Sequence, residues 1–231
     1  LIVTDGYSRL ILACEAVPRP TAEDVVPILT RLFQSHGLPR ALRTDSGSPF
    51  SSRRGLAGLS RLSVWLLKLE VWPDCIGPGR PDQNGRHERL HRVLGEDTAR
   101  PPAATVAAQP TLDAWRQVHN TQPPHEGPGQ QCPASLYVRL PCGYPAAIAD
   151  WDYPADNHVR RMDRKDCISW RDCVVYATEA LRGEAVALAQ RDDGDWRVRF
   201  HGFDLAVRSD ALNAIVLTGL SRSADIPSPR P

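Results

Sequence analysis

An aspartate stands in the stretch RTDSGSPF, residues 43–50, between a short alternating run and a Ser-Gly-Ser-Pro turn. Asp-Ser-Gly is ordinary turn chemistry, because an Asp side chain can bond its own backbone two residues on. The same residues also suit catalysis. At a strand end, Ser46 and Gly47 let the chain turn sharply and leave the Asp45 carboxylate exposed, and such loops often carry function. One carboxylate rarely holds a catalytic divalent ion alone, so a second acid is needed. The segment GRPDQNGRHERLHRVL, residues 79–94, offers Glu88, 43 positions after Asp45. At helical spacing Glu88 shares a side with Asn84, His91 and Arg92, while Leu90, Val93 and Leu94 take the opposite side. The apolar stripe then packs inward and Glu88 faces outward or into a cleft. A solvated Glu88 paired with Arg92 is the plainer alternative. Gly85 near the helix start costs stability and reads as a point of close approach. Arg80, Arg86, Arg89 and Arg92, with His87 and His91, make a local basic surface of the kind that phosphates require. A solvated helix face has the same composition.

These side chains must be positioned by a chain of 231 residues, enough for one large domain or two modest ones. Hydrophobic residues make up 42%, so a core can form, and the formal charge of +1 confines any nucleic-acid surface to a local patch. The six cysteines show no CxxC pair and no zinc spacing, and read as thiols in a reducing cytosol. No run of 18 apolar residues and no signal peptide is visible. The single methionine is Met162 and the chain opens mid-pattern at LIVTDG, which reads as a fragment.

LIVT and RLILACEAV are strand-like runs around an Asp-Gly hairpin signal. TAEDVVPILTRLFQSHG follows as a helix, with Thr21 as N-cap, Asp24 at the acidic position of a capping box and Gly37 as the stop. ALRT is a short strand leading into Asp45. GLAGLSRLSVWLLKLE reads as one apolar helix, then EVW as a brief strand, and PDCIGPGRPDQNG as a loop. A helix from about Asp82, another at TLDAWRQVHN and a short one at CPASLYVRL complete an α/β domain of mixed sheet over residues 1–140. Residues 141–155 read as a linker. Residues 156–215 hold short strands and the Asp193-Gly194 hairpin, expected as a small all-β, five-stranded barrel. Residues 216–231 form a polar, Pro-rich tail expected to be disordered. Trp170 and Trp196 read as barrel core, and Arg160, Arg161, Arg164 and Lys165 as a modest basic cluster at its entrance.

Together, TDSGSPF and GRPDQNGRHERLHR resemble the Asp-Asp-Glu integrase core of insertion-sequence transposases, which is similar to retroviral integrases and has a ribonuclease-H-like fold. LIVTDGYSRLILACEAV resembles that family's second and third strands, and LDAWRQVHNTQPPHEGPGQQCPASLY its closing segment. WRDCVVYATEALRGEAVALAQRDDGDWRVRF resembles the small barrel that follows the core in one transposase subgroup. The resemblance implies a DNA transposase or integrase, a polynucleotidyl transferase that cuts and joins DNA strands. Its cofactor would be magnesium, two ions in a complete site, with manganese as the alternative. It implies Asp45 and Glu88 as metal-binding acids, and Asn84, Arg86, Arg89 and Arg92 as DNA contacts. Its partners would be transposon ends and target DNA, and a second copy of the chain in a homo-oligomer. No membrane is involved, and the setting would be the cytoplasm, at a bacterial nucleoid.

The family's first acid belongs to a strand ahead of the hairpin, so the resemblance places it upstream of Leu1. Asp5 in TDGYSR matches a turn, not that acid. Ser46 stands where Asn is common, Pro123 where Arg is usual, and Gly127-Pro128 where Ala-Leu is usual. A catalytically inactive DNA-binding remnant is the alternative function. A stand-alone ribonuclease-H-type nuclease is disfavoured by the terminal barrel.

Overall fold

Two short, largely apolar runs open the chain and pair as the first element of the fold. The computed structural model describes residues 1–17, 19–52, 56–76, 85–97, 108–122, 131–170, 173–209, 211, 214–216 and 220–222. The described chain is mixed α/β, and it gathers into two compact units. One is Leu1–Pro39 with Ile76–Tyr144, the other Arg40–Cys75 with Pro145–Pro231.

In the first unit, β1 (Ile2–Thr4) and β2 (Ile11–Cys14) are antiparallel, with Ile2 opposite Cys14 and Val3 opposite Ala13. The turn between them is held by Asp5, whose Oδ2 accepts from the Ser8 N–H at 2.6 Å, the Ser8 hydroxyl at 2.7 Å and the Tyr7 N–H at 3.1 Å. Asp5 is thus a turn residue, as its sequence context implies.

Helix α1 (Ala22–His36) begins where Thr21 accepts the Asp24 N–H at 3.3 Å, and it buries Val25, Leu29, Leu32 and Phe33. Its stop, Gly37, sits at φ +88°, and an added Cβ would lie 2.6 Å from the Leu140 carbonyl. Only glycine meets both conditions without strain. Helices α3 (Gly85–Asp97), α4 (Gln109–Thr121) and the short α5 (Pro133–Leu136) follow in this unit, while α2 (Arg61–Lys68) belongs to the second. Leu94, Leu112 and Trp115 join Ile2, Ile11 and Cys14 in one apolar cluster, with Leu90 and Val93 packed against it.

Helix α4 also closes the outer edge of β2 with side chains. Asn120 accepts the Ile11 N–H at 2.8 Å and donates to the Ile11 carbonyl at 3.0 Å. Gln109 donates to the Cys14 carbonyl at 2.9 Å and accepts the Ala16 N–H at 3.0 Å, and Arg116 donates to the Leu12 carbonyl at 3.1 Å. Polar side chains replace a neighbouring strand there, so the edge groups are satisfied.

In the second unit, β3 (Ala41–Thr44) and β4 (Trp72–Cys75) are parallel, Thr44 opposite Cys75, with α2 (Arg61–Lys68) between them in sequence. The expected single helix from Gly55 is shorter. Leu56–Gly58 is a 3-10 turn with Ala57 at φ +52°, and α2 starts only after Ser60, whose side chain forms a reciprocal capping box with Ser63.

The C-terminal strands β5 (His158–Arg161), β8 (Ala185–Gln190), β9 (Trp196–Phe200), β10 (Phe203–Ser209) and β11 (Ala214–Val216) form an antiparallel sheet in the order β11-β10-β9-β8-β5, with β12 (Ser221–Arg222) also on β10. β6 (Cys167–Trp170) and β7 (Cys173–Tyr176) make a separate hairpin. Among the described residues the pairing path runs from β5 to β11, and no strand pairing that would close the expected five-stranded barrel is found among them. The Asp193-Gly194 hairpin joins β8 to β9, with Gly194 at φ +88°. Trp170 and Trp196 are core, each 4% exposed, their rings 4.7 Å apart.

One hydrophobic cluster spans this unit: Leu56, Leu59, Val64 and Leu67 pack with Met162, Ile168, Leu181, Val186, Phe203 and Leu205. Lys68 adds a bridge to both Glu184 oxygens, at 2.9 and 3.0 Å. Residues 40–75 therefore share a core with the C-terminal sheet. The expected linker is anchored too: the Tyr153 hydroxyl donates to the Ala185 carbonyl and accepts the His201 N–H, each at 3.0 Å. Ser221 and Arg222, placed by sequence in a disordered tail, pair with Asp204 and Phe203. Residues 223–231 lie outside the described residues.

Candidate functional site

Asp45 follows the last residue of β3 and is exposed. It stands at the carboxyl end of a parallel strand pair, the end at which open α/β sheets commonly bind ligands. Its Oδ1 accepts the Gly47 N–H at 3.1 Å. The loop beyond is bonded to itself: the Gly47 carbonyl accepts the Phe50 N–H at 2.9 Å and the Ser51 N–H at 3.2 Å, and the Ser51 hydroxyl donates to the Ser46 carbonyl at 2.7 Å. The Ser60 hydroxyl, which caps α2, donates to the Phe50 carbonyl at 3.1 Å. The helix start and the acid-bearing loop are thus one hydrogen-bonded piece.

Cys75 ends the neighbouring strand, its Sγ 3.7 Å from the Thr44 hydroxyl. Burial pushes its thiol up, the Thr44 hydrogen bond pulls it down, and the charges of Asp74 and Asp45 push it up again. The net push is upward, toward the neutral thiol. Arg43 is engaged with Asp74 at 2.7 Å.

Glu88 lies in the first turn of α3 and is exposed, on the face opposite the Leu90–Val93–Leu94 stripe, as its spacing requires. The ion pair of Arg92 runs to Glu96, at 4.0 Å, and not to Glu88. Arg89 and Arg92 are exposed on α3, and the rings of His87 and His91 meet edge to face at 4.8 Å. Among the described residues, a Cβ on Gly85 would meet nothing within 4 Å. Asn84 lies outside the described residues, as does the side chain of Arg86. Asp45 belongs to the second unit and Glu88 to the first. Among the described residues, no group of three or more His, Cys, Asp or Glu gathers as a metal site would.

The basic residues near the start of the C-terminal sheet are partly committed. The Arg160 guanidinium lies 5.4 Å from the Trp170 ring centroid, and Arg161 donates to the Gly183 carbonyl. Arg164 and Lys165 are exposed. Among the described residues, no helix is long and apolar enough to cross a membrane.

Gly47 is the residue that sequence reasoning credited only with the turn. Its amide contact to Asp45 could have been read from the two-residue offset, which is the reach of an Asx turn.

Residues 69–133 match the integrase core domain family. The match takes in Glu88 and its helix and does not reach Asp45. The chain is 28% identical over 130 residues to the insertion element IS407 uncharacterized 31.7 kDa protein of Burkholderia multivorans, covering 54% of this chain and 44% of that one. It is 28% identical over 138 residues to the insertion element IS476 uncharacterized 39.2 kDa protein of Xanthomonas euvesicatoria, covering 59% and 38%. The chain thus spans less than half the length of these curated relatives. A simian T-cell lymphotropic virus intasome, solved in complex with PP2A regulatory subunit B56 gamma, matches at TM-score 0.39 and 16% identity, over 98% of this chain and 75% of that one.

Proposed function

We propose, from the integrase core carried by residues 69–133, that this chain is the catalytic region of a DNA transposase or integrase. The observation that carries the reading is that match, which contains Glu88 and the basic helix around it. Asp45 joins it through the TDSGSPF motif and through its exposed place at the carboxyl end of β3. A ribonuclease-H-like core with a following β module is the fold that suits this reading. The sequence cut at residues 140 and 155 is our proposal for the modules.

The residues fit a hard divalent ion. Asp45 and Glu88 are carboxylates, the donors magnesium prefers. The space that a Cβ on Gly47 would fill lies against the Asp45 carboxyl group. We assign both acids as ligands of magnesium, or of manganese in its place, in a site that takes two ions when complete. When bound, the metal supplies Lewis-acid stabilisation of the attacking and leaving oxygens of an in-line phosphoryl displacement. The chain's own residues do the rest. Asp45 and Glu88 hold the cation, and Arg89 and Arg92, with Asn84 and Arg86, hold phosphates of transposon-end or target DNA. Neutralisation and positioning account for most of the rate in such displacements. The partners are DNA and further copies of the chain, since joining two ends to a target needs more than one active site.

The test is DNA strand transfer with Mg²⁺ by the gene product that contains this chain, including whatever the reading frame encodes ahead of Leu1. Joined product that disappears in Asp45→Asn and in Glu88→Gln supports the reading. Metal-independent DNA binding without joining contradicts it and establishes a non-catalytic DNA-binding protein. Joining that survives Glu88→Gln contradicts the site assignment.

A further inference from the structure

The three atoms nearest to a Cβ built on Gly47 all belong to Asp45: Oδ1 at 3.2 Å, Cγ at 3.6 Å and Oδ2 at 3.7 Å. The carboxyl group lies flat against the place where any other residue carries its side chain. The Gly47 backbone is not in the left-handed region, so the backbone itself does not demand glycine there. What a Cβ there would crowd is the Asp45 carboxylate, through Oδ1. The Gly47 N–H fixes Oδ1 at 3.1 Å. The peptide group that carries this N–H is held at its other end, where the Ser46 carbonyl accepts the Ser51 hydroxyl at 2.7 Å, and the loop beyond is held by the Phe50 and Ser51 N–H groups on the Gly47 carbonyl and by Ser60 on the Phe50 carbonyl.

We propose that Gly47 is a positioning residue for Asp45: its N–H orients one carboxylate oxygen, and its missing Cβ leaves the carboxyl group room to present the other to a divalent cation. The inference rests on the reading of Asp45 as a metal ligand. A hydrogen bond to a ligating carboxylate fixes its orientation, and losing such a partner costs roughly tenfold or more in metal affinity. An alanine methyl would push the carboxyl group by a few tenths of an ångström and lengthen the amide contact. It would leave the buried cluster of Leu56, Leu59, Val64 and Leu67 untouched.

The experiment titrates Mn²⁺ alone into the full chain and follows free Mn²⁺ by electron paramagnetic resonance. Wild type, Gly47→Ala, Asp45→Asn and the control Gly143→Ala, whose Cβ would meet nothing within 4 Å, are compared. Thermal midpoints and amide spectra are recorded beside each. The expected result is loss of the site in Asp45→Asn and affinity about tenfold weaker in Gly47→Ala. The thermal midpoint of Gly47→Ala stays at the wild-type value, and Gly143→Ala binds as wild type. Wild-type affinity in Gly47→Ala, with loss in Asp45→Asn, overturns the positioning role and leaves the ligand reading standing. Wild-type affinity in Asp45→Asn overturns the ligand reading and the inference with it. A lowered midpoint with spectral changes throughout residues 41–75 makes Gly47 a folding residue, which also overturns the proposal.

Discussion

Acid should loosen the second unit through His201, and the size of the effect can be worked out. His201 is 4% exposed, packed against Trp151 at 5.2 Å and Phe200 at 4.6 Å. Burial pushes it down from 6.5 to about 4; the Lys68 charge pushes the same way, and Asp150 pulls back. Between those values the unfolded chain binds a proton that the folded chain refuses, so stability is lost as pH falls from about 6.5 towards about 4. The loss amounts to about 2 kcal/mol at pH 5 and about 3 kcal/mol when complete. His36 and His119 are also pushed down by burial and add to the acid slope, so the informative quantity is a difference between proteins. His201→Asn suits that comparison, because Asn tolerates the φ of +50° found there. Urea denaturation of wild type and His201→Asn at pH 7, 6 and 5 is the assay. Wild type is expected to lose about 2 kcal/mol more than the variant between pH 7 and pH 5. Parallel losses in the two proteins would refute the reasoning.

Removing the Lys68 charge in Lys68→Met is expected to raise the titration midpoint of His201, read from its imidazole carbon shift by NMR; an unmoved midpoint would separate the two residues. Asn120→Ala is expected to cost about 1–3 kcal/mol, because two backbone groups of Ile11 lose their partner. Hydrogen exchange at the Ile11 amide should quicken with it. Leu67→Ala, at a fully buried position, is expected to cost about 2–5 kcal/mol. Exchange protection is then expected to fall together in residues 41–75 and 185–207, since both lie on one core; loss confined to one segment would contradict that packing.

Local signals were legible in the sequence where the physics is local. Thr21, Gly37 and the spacing of Val25, Leu29 and Leu32 give α1 its ends and its buried face. Asp193 and Gly194 give the β8–β9 hairpin in the same way. Helix α2 was misread at its start, because a Ser at the third position hid the capping box and the apolar Gly-Leu-Ala-Gly run looked helical. Nothing periodic in the sequence says that residues 40–75 share a core with the C-terminal sheet. Side chains distant in sequence decide that, Leu67 with Leu181 and Lys68 with Glu184 among them. The tail pairing of Ser221 and Arg222 is hidden for the same reason, since its partners are Phe203 and Asp204.

Of the candidate site, the exposed placement of Asp45 and Glu88 could be read from turn chemistry and helix spacing. The partner of Arg92 could not, because Glu88 and Glu96 stand at equal spacing on either side of it. The cradle at Gly47 needed coordinates, since a turn glycine and a glycine that makes room for a carboxylate look alike in sequence.

The central proposal is that Asp45 and Glu88 both act as metal ligands, and a paramagnetic titration addresses it most directly. Substoichiometric Mn²⁺ is added to the isotopically labelled chain, and broadening of backbone amide signals is followed. The account predicts that residues 44–47 and 86–89 broaden together at the same Mn²⁺ concentration, and that Glu88→Gln weakens broadening in both groups at once. Broadening of the two groups at different concentrations, or an Asp45 group indifferent to Glu88→Gln, would contradict it.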